Sequence, residues 1–176
     1  GLDPICQHYH LTCGIRSKNG HSKMASLQSK LRMFVGGSSG KTAYLQQLRN
    51  NDPTLTTLKI GRNRLGDRSG EKLANALARN TTLTSLDLYA NRLGEEFGVN
   101  LANVLETNSS LMTLEVGVNG LRIVGSIAIA RALETNSSLT TLSLYGNDLG
   151  EVGGAAVAVA LERNTTLTAL DLRGNG

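Results

Sequence analysis

The 176-residue chain has few aromatic residues and little cysteine. Phenylalanine, tyrosine and tryptophan together make up 3% of it, and tryptophan is absent. A hydrophobic core must therefore be built from leucine, valine, isoleucine and alanine. No run approaches the roughly 18 uninterrupted apolar residues of a membrane helix, and the N-terminus lacks the apolar centre of a signal peptide. We therefore expect a cytoplasmic protein that makes no membrane contact.

The excess of basic residues is confined to one end of the chain. Lysine and arginine number 18 against 14 acidic residues. Residues 1–54 carry seven basic and two acidic side chains, whereas residues 55–176 carry eleven and twelve. The pI of about 9.3 is thus a property of the leading segment. Because no basic stripe with interleaved aromatics follows it, we expect no nucleic-acid partner.

Repetition is the main feature of the remaining sequence. Residues 55–82 are followed by three segments of the same length and nearly the same pattern, at 83–110, 111–138 and 139–166, and residues 167–176 begin a fifth. A fixed period of about 20 to 50 residues is typical of a solenoid, in which neighbouring units cover each other's apolar faces.

Each unit has the same internal order. It opens with apolar residues at spacings of three and two, as in Leu55, Leu58 and Ile60, which predicts a short strand with one apolar face. An asparagine follows where the chain leaves the strand, and stacked amides could bond the free backbone groups of that bend. A glycine-led helical pattern comes next, and an Asn-Thr-Thr or Asn-Ser-Ser turn leads into the next strand. The asparagines of the bend are Asn63, Asn91, Asn119, Asn147 and Asn175.

The pattern LxxLxLxxNxLGxxGxxxLAxALxxN(T/S)(T/S) resembles the 28-residue leucine-rich repeat of the ribonuclease-inhibitor type. That repeat also occurs in Ran GTPase-activating proteins and in nucleotide-binding, leucine-rich-repeat receptors. The resemblance covers residues 55–176 and implies an α/β fold, a right-handed solenoid with parallel strands on the concave face and helices on the convex face. The third unit departs most, at Gly120, Arg122 and Ile123, and we expect a locally altered outer loop there.

Residues 1–26 differ in composition from the repeats. They lack apolar periodicity, and Met24-Ala25-Ser26 is typical of a translation start, so we interpret them as a disordered or non-native extension. Two thiols and two imidazoles in this segment could form a zinc site, but their spacing matches neither C-x2-C nor H-x3–5-H. A disulfide between the two cysteines is the other alternative, and the missing signal peptide argues against it. These residues are Cys6, His8, His10 and Cys13. We expect no metal.

Residues 27–54 have two interpretations. Lys41 and Thr42 follow Gly40 as in the phosphate loop of Ras-like GTPases, but the motif G-x-x-x-x-G-K-[ST] requires glycine at Val35 and is one residue short from Gly36. The alternative is a degenerate N-terminal capping repeat, because terminal repeats are usually atypical. We favour the capping repeat and expect no cofactor. Its strand positions would be Leu31 and Met33, and its helical ones Tyr44 and Leu48.

Two columns of side chains would alternate with the strand leucines and point outward on the concave face. The first is mainly acidic and contains Lys59, Asp87, Glu115, Ser143 and Asp171. The second contains Gly61, Tyr89, Gly117, Tyr145 and Arg173. Acidic groups beside exposed tyrosines suit a basic or amphipathic protein partner. Alternatively, the tyrosines only cover neighbouring glycines and the charges are merely solvated.

The repeats contain no histidine or cysteine and no legible nucleophile–base pair, so we expect no enzyme. The preferred hypothesis is a non-catalytic protein–protein interaction scaffold that binds an unidentified protein partner on its concave face. The resemblance implies two alternatives, the regulatory repeat region of a signalling nucleotidase or receptor, and a GTPase-activator-like repeat domain. Because Gly176 leaves the last strand without a covering helix, we also expect self-association through the C-terminal end. Four N-x-[ST] sequons fall at the helix-to-strand turns, at Asn80, Asn108, Asn136 and Asn164.

Overall fold

The computed structural model describes residues 40–176, with side chains from Ala43 onward. The proposed N-terminal extension, the cysteine and histidine set, the strand positions of the capping repeat and most of the phosphate-loop sequence lie outside the described residues. Helices and short strands alternate along the described chain. In order they are α1 Gly40–Arg49, β1 Thr57–Lys59, α2 Gly66–Leu77, β2 Ser85–Asp87, α3 Gly94–Thr107, β3 Thr113–Glu115, α4 Arg122–Leu133, β4 Thr141–Ser143, α5 Gly150–Leu161 and β5 Ala169–Asp171.

The five strands form one parallel sheet in sequence order. Each residue pairs with the one 28 positions later, so that Leu58 lies beside Leu86 and Leu114 beside Leu142. Helices α2 to α5 connect successive strands and pack against one another in the same order. This is the predicted α/β leucine-rich-repeat solenoid, with the sheet on its concave face and the helices on its convex face.

The core consists of the apolar positions that the repeat predicts. The strand residues Leu58, Leu86, Leu114 and Leu142 are at most 1% exposed, and the helical residues at the matching depth are fully buried. Burying one such side chain contributes about 1.5–3 kcal/mol. Those helical residues are Leu73, Leu101, Ile129 and Val157.

A ladder of asparagines holds the strand exits together. The side-chain amide of Asn91 donates to the carbonyl oxygens of Ile60, at 2.8 Å, and of Leu88, at 3.0 Å. Its side-chain oxygen accepts the backbone N–H of Asn63 at 2.8 Å. The same bonds recur at Asn119 and at the later bends, as the sequence predicted.

A second asparagine ladder runs along the other end of the strands. The amide nitrogen of Asn108 donates to the carbonyl oxygen of Asn80 at 2.8 Å, and its side-chain oxygen accepts the N–H of Leu111 at 2.9 Å. Asn136 and Asn164 repeat this arrangement. These are the sequon asparagines, so the nitrogen that would carry a glycan is used inside the solenoid. From the sequence alone, these asparagines are recognisable only as turn residues.

Helices α3 and α4 approach each other through glycines. A methyl group placed on Gly98 would lie 2.7 Å from the Cα atom of Gly125. Such a distance is shorter than any ordinary contact, so the close packing of these two helices requires glycine.

The strand-to-helix loop of the third unit keeps the backbone of its neighbours. Gly120 and Arg122 have φ values of +70° and +53°, and the matching residues of the second unit, Arg92 and Gly94, have +58° and +75°. Helix α4 also begins at the same repeat position as the other three helices of the repeats. The expected alteration of this loop is therefore wrong for the backbone, because Arg122 adopts the left-handed conformation that its neighbours reach with glycine. Only the side chains differ.

The two ends of the described chain differ in burial. On α1, Tyr44 is 2% exposed and Leu48 is fully buried; burial raises the pKa of Tyr44 above its ordinary value. Lys41 and Thr42 lie in the first turn of this helix. The division into an extension, a capping repeat and the solenoid stays a prediction. At the other end, Leu170 is only half-buried, unlike its counterparts in the earlier strands.

Candidate functional site

The predicted acidic column exists as a row of neighbours across the sheet. Strand pairing places Lys59 beside Asp87, Asp87 beside Glu115, and Glu115 beside Ser143, which in turn lies beside Asp171. Lys59 is exposed and the three carboxylate residues are half-buried. Ser143 is only 9% exposed, so it offers a partner little side-chain surface.

The carboxylates of this column bond to the backbone two residues further along. The N–H of Tyr89 donates to Asp87 at 3.0 Å, and the N–H of Gly117 donates to Glu115 at 2.9 Å. These bonds hold each carboxylate against the strand exit, and they satisfy a backbone donor that leaves the sheet. Sequence reasoning missed this role, although an acidic residue at the same repeat position in three units was its signal.

Asp171 also binds its backbone neighbour and forms an ion pair with it. The guanidinium of Arg173 donates from Nε, at 2.9 Å, and from Nη2, at 2.7 Å, to the two carboxylate oxygens. Hydrogen bonding from the Arg173 side chain lowers the pKa of Asp171 to about 2, and the same contact raises the pKa of Arg173. Both groups are therefore charged at any physiological pH.

The two tyrosines of the second column lie over glycines of the next unit. A ring carbon of Tyr89 is 3.2 Å from the point where a methyl group on Gly117 would lie. A ring carbon of Tyr145 is 3.3 Å from the point where a methyl group on Gly174 would lie. The guanidinium carbon of Arg62 also lies 5.3 Å from the centre of the Tyr89 ring. The tyrosines thus cover glycines, which is one of the two interpretations that the sequence left open.

Covering a glycine leaves part of each ring in solvent. Tyr145 remains 38% exposed, whereas Tyr89 is half-buried beneath Arg62. Tyr145 lies near the Asp171–Arg173 pair, because its ring packs beside Gly174, the residue that follows Arg173. The structure therefore brings Tyr145, Asp171 and Arg173 together at the C-terminal ends of β4 and β5, and it places Lys59 at the opposite edge of the sheet.

Within residues 40–176, no group of three histidine, cysteine, aspartate or glutamate side chains is arranged to hold a metal ion. In the same part of the chain, no helix is both long and apolar enough to cross a bilayer. The concave face therefore presents hydrogen-bonding groups, charged groups and the accessible ring of Tyr145.

A sheet of stacked 28-residue units, with variable side chains on its concave face, defines a leucine-rich-repeat domain. Within that class, the sequence model of the TMOD/LMOD leucine-rich domain matches residues 41–172. The chain belongs to this family. The relatives are thus tropomodulins and leiomodins, and the match does not single out the ribonuclease-inhibitor type that the repeat pattern resembles.

Solved structures agree with this assignment. The chain is similar to a structure described as leiomodin-1 actin-binding site 2, with 26% sequence identity and a TM-score of 0.70, over 78% of this chain and 80% of that one. It also shares the fold of the tropomodulin C-terminal domain of Caenorhabditis elegans, with 18% identity and a TM-score of 0.67, over 74% of this chain and 81% of that one. A search of curated protein sequences found no match.

Proposed function

We propose that this chain is a non-catalytic scaffold that binds actin through the concave face of its sheet. The observation that carries the proposal is the similarity to leiomodin-1 actin-binding site 2, which extends over 80% of that chain. The family match supports a scaffold over a receptor regulatory region or a GTPase activator. An actin partner also favours the cytoplasmic location.

The concave face has the composition of a contact surface. Tyrosine and arginine are enriched at the centres of protein interfaces, because each combines a large contact area with directional hydrogen bonds. Within the two outward columns, Tyr145 and Arg173 are the exposed tyrosine and arginine. We expect them to make the main contacts.

The half-buried carboxylates would contribute mainly to orientation. Asp87 and Glu115 are already fixed by backbone N–H groups, so binding would cost little side-chain entropy at these positions. Their negative charge would favour a basic surface on the partner and discriminate against an acidic one. Lys59, at the far edge of the sheet, would set the orientation along the column.

The test is a binding titration with fluorescently labelled monomeric actin, accompanied by co-sedimentation with actin filaments. We expect Tyr145→Ala and Arg173→Ala each to weaken binding by about tenfold, the range typical of interface anchors. The matched control is Val152→Ala, which removes an exposed apolar side chain from α5 on the convex face. Its affinity should equal that of the wild type.

Two results would overturn the proposal. The first is a wild-type chain that binds neither monomeric nor filamentous actin. The second is a loss of affinity in Val152→Ala together with unchanged binding in both concave-face variants, which would move the interface to the helices.

A further inference from the structure

The strand-to-helix loop of the third unit carries side chains that the fold does not require. Val118 has φ of +55° and Arg122 has φ of +53°, a region that β-branched and bulky residues rarely adopt. Every other full unit has a glycine with positive φ at the position of Arg122, namely Gly66, Gly94 and Gly150. At the position of Val118 the other units have Arg62, Ala90, Gly146 and Gly174, all with positive φ, so the third unit alone has a β-branched residue there.

These side chains also point into solvent. Val118 is 38% exposed, and the following Ile123 and Val124 are 43% and 56% exposed. At the position of Ile123 the other units have an acidic residue. The third unit therefore keeps strained and apolar residues on its surface, where neither backbone preference nor core packing favours them.

The same loop borders a depression in the rim of the solenoid. It has a volume of about 490 Å³ and lies between the loops of the second, third and fourth units. Val118 and Arg122 line it, together with Arg92, Glu95 and Asp148. The lining includes Gly120, where even an added methyl group would meet nothing within 4 Å. A partner backbone could therefore approach closely.

The charged side chains of the depression differ in whether they already take part in a hydrogen bond or a salt bridge. The carboxylate of Glu95 accepts the N–H of Val124, in the first turn of α4, at 3.1 Å. Arg92 and Arg122 take part in neither of the two salt bridges found among residues 40–176. Both guanidinium groups are thus available for a carboxylate, which they can bind in a bidentate manner.

We propose that this depression, lined by Arg92, Val118 and Arg122, docks an extended segment of a partner protein that carries an acidic side chain next to an apolar one. The carboxylate binds between the two arginines, and the apolar side chain packs on Val118. Asp148 lies on the same depression and weakens this attraction, so it sets a limit on affinity. The surface is separate from the concave face and does not rest on the binding of actin.

The proposal also predicts how substitution of these two residues changes the melting temperature. Arg122→Gly restores the residue that the other full units use at this φ, and Val118→Gly removes a β-branched residue from a left-handed position where the fourth unit has glycine, so the double variant should melt at or above the wild-type temperature. Docking, in contrast, should be lost. A merely structural role for these two residues would give the opposite result for stability.

The experiment is a selection of random 12-residue peptides displayed on phage, performed on the wild-type chain. We expect enrichment of peptides with Asp or Glu beside Leu, Ile or Phe. A synthetic peptide from the enriched set should bind the V118G/R122G variant at least tenfold more weakly, and D148N about twofold or more tightly. The matched control is Arg64→Gly, which also removes an exposed, left-handed arginine from the rim, at φ of +51°, but lies outside the depression. It should bind as the wild type does.

The proposal fails if selection enriches basic peptides, if no enriched peptide distinguishes the wild type from V118G/R122G, or if R64G loses as much affinity as the double variant. It also fails if V118G/R122G melts well below the wild type. None of these outcomes depends on actin, so failure here and failure of the proposed concave-face function are distinguishable.

Discussion

The backbone N–H of Asn91 donates to the side-chain oxygen of Asn119 at 2.9 Å, and the amide of Asn119 donates back to the carbonyl of Leu88 at 3.0 Å. One buried side chain thus joins two units through both its donor and its acceptor. Because Asn91, Asn147 and Asn175 do the same for the units before them, the strand exits are linked by side chains that have no apolar substitute.

Replacing Asn119 by alanine should lower the free energy of unfolding by about 3 kcal/mol, because it leaves the buried backbone N–H of Asn91 without a partner and removes the amide's hydrogen bonds to the carbonyl oxygens of Leu88 and Val116. Asn119 is 3% exposed. The comparison is Asn63→Ala, at the half-buried first rung, where the side chain donates only to carbonyls of its own unit and where we expect a loss of about 1 kcal/mol. Urea unfolding monitored by circular dichroism measures both. Equal losses would contradict a ladder role.

A second prediction concerns the contact between α3 and α4. Gly98→Ala should destabilise the chain by about 2 kcal/mol, because the new methyl group would overlap the backbone of Gly125. Gly154→Ala is the matched control in α5, where a methyl group meets nothing within 4 Å; it should stabilise by roughly 0.5–1 kcal/mol through helix propensity. A lower melting temperature for Gly98→Ala and a higher one for Gly154→Ala would confirm the prediction, and shifts in the same direction would refute it.

Equivalent leucines should differ in their contribution to stability along the sheet. Leu114→Ala, in the middle of the core at 1% exposure, should cost about 3 kcal/mol through lost burial and the cavity it leaves. Leu170→Ala occupies the same repeat position but is half-buried, so we expect a loss of about 1 kcal/mol. Chemical denaturation of the two variants decides this; a larger loss at Leu170 would mean that the last strand is better packed than its exposure indicates.

The ion pair on β5 has a defined pH dependence. Because the pKa of Asp171 is lowered to about 2 in the folded chain, against about 3.9 when unfolded, its stabilising contribution is present above the unfolded pKa and is lost as pH falls through the folded one. NMR titration of the Asp171 carboxyl carbon should show a midpoint near 2. In Arg173→Ala the midpoint should rise toward the ordinary value, and an unchanged midpoint would contradict the assignment of cause.

The architecture could be predicted from the sequence because the same 28-residue pattern occurs in four full units. Each strand leucine and each bend asparagine recurs every 28 residues, so the assignment of a position in one unit is checked against the same position in the others. The burial of Leu58 and Leu86 and the first asparagine ladder followed directly. The shared position of the carboxylates on one column followed too, since alternate residues of a strand face the same side.

The remaining features depend on which atoms meet, and the repeat pattern does not contain that information. Asn108 and Asn136 suit a turn whether or not their amides reach the next unit, so the second ladder was not predicted. The same applies to Glu115, whose carboxylate turns back to the N–H of Gly117. For Tyr89, only the distance to Gly117 could favour covering a glycine over full exposure.

The two asparagine ladders restrict how this chain can change in length. Both sets of bonds join residues about one unit apart, 28 positions within each ladder, so an insertion or deletion between the two asparagines of a unit would displace one ladder relative to the other. Removal or duplication of a complete unit preserves both. Length variation among related chains should therefore occur in whole units or in segments outside the ladders.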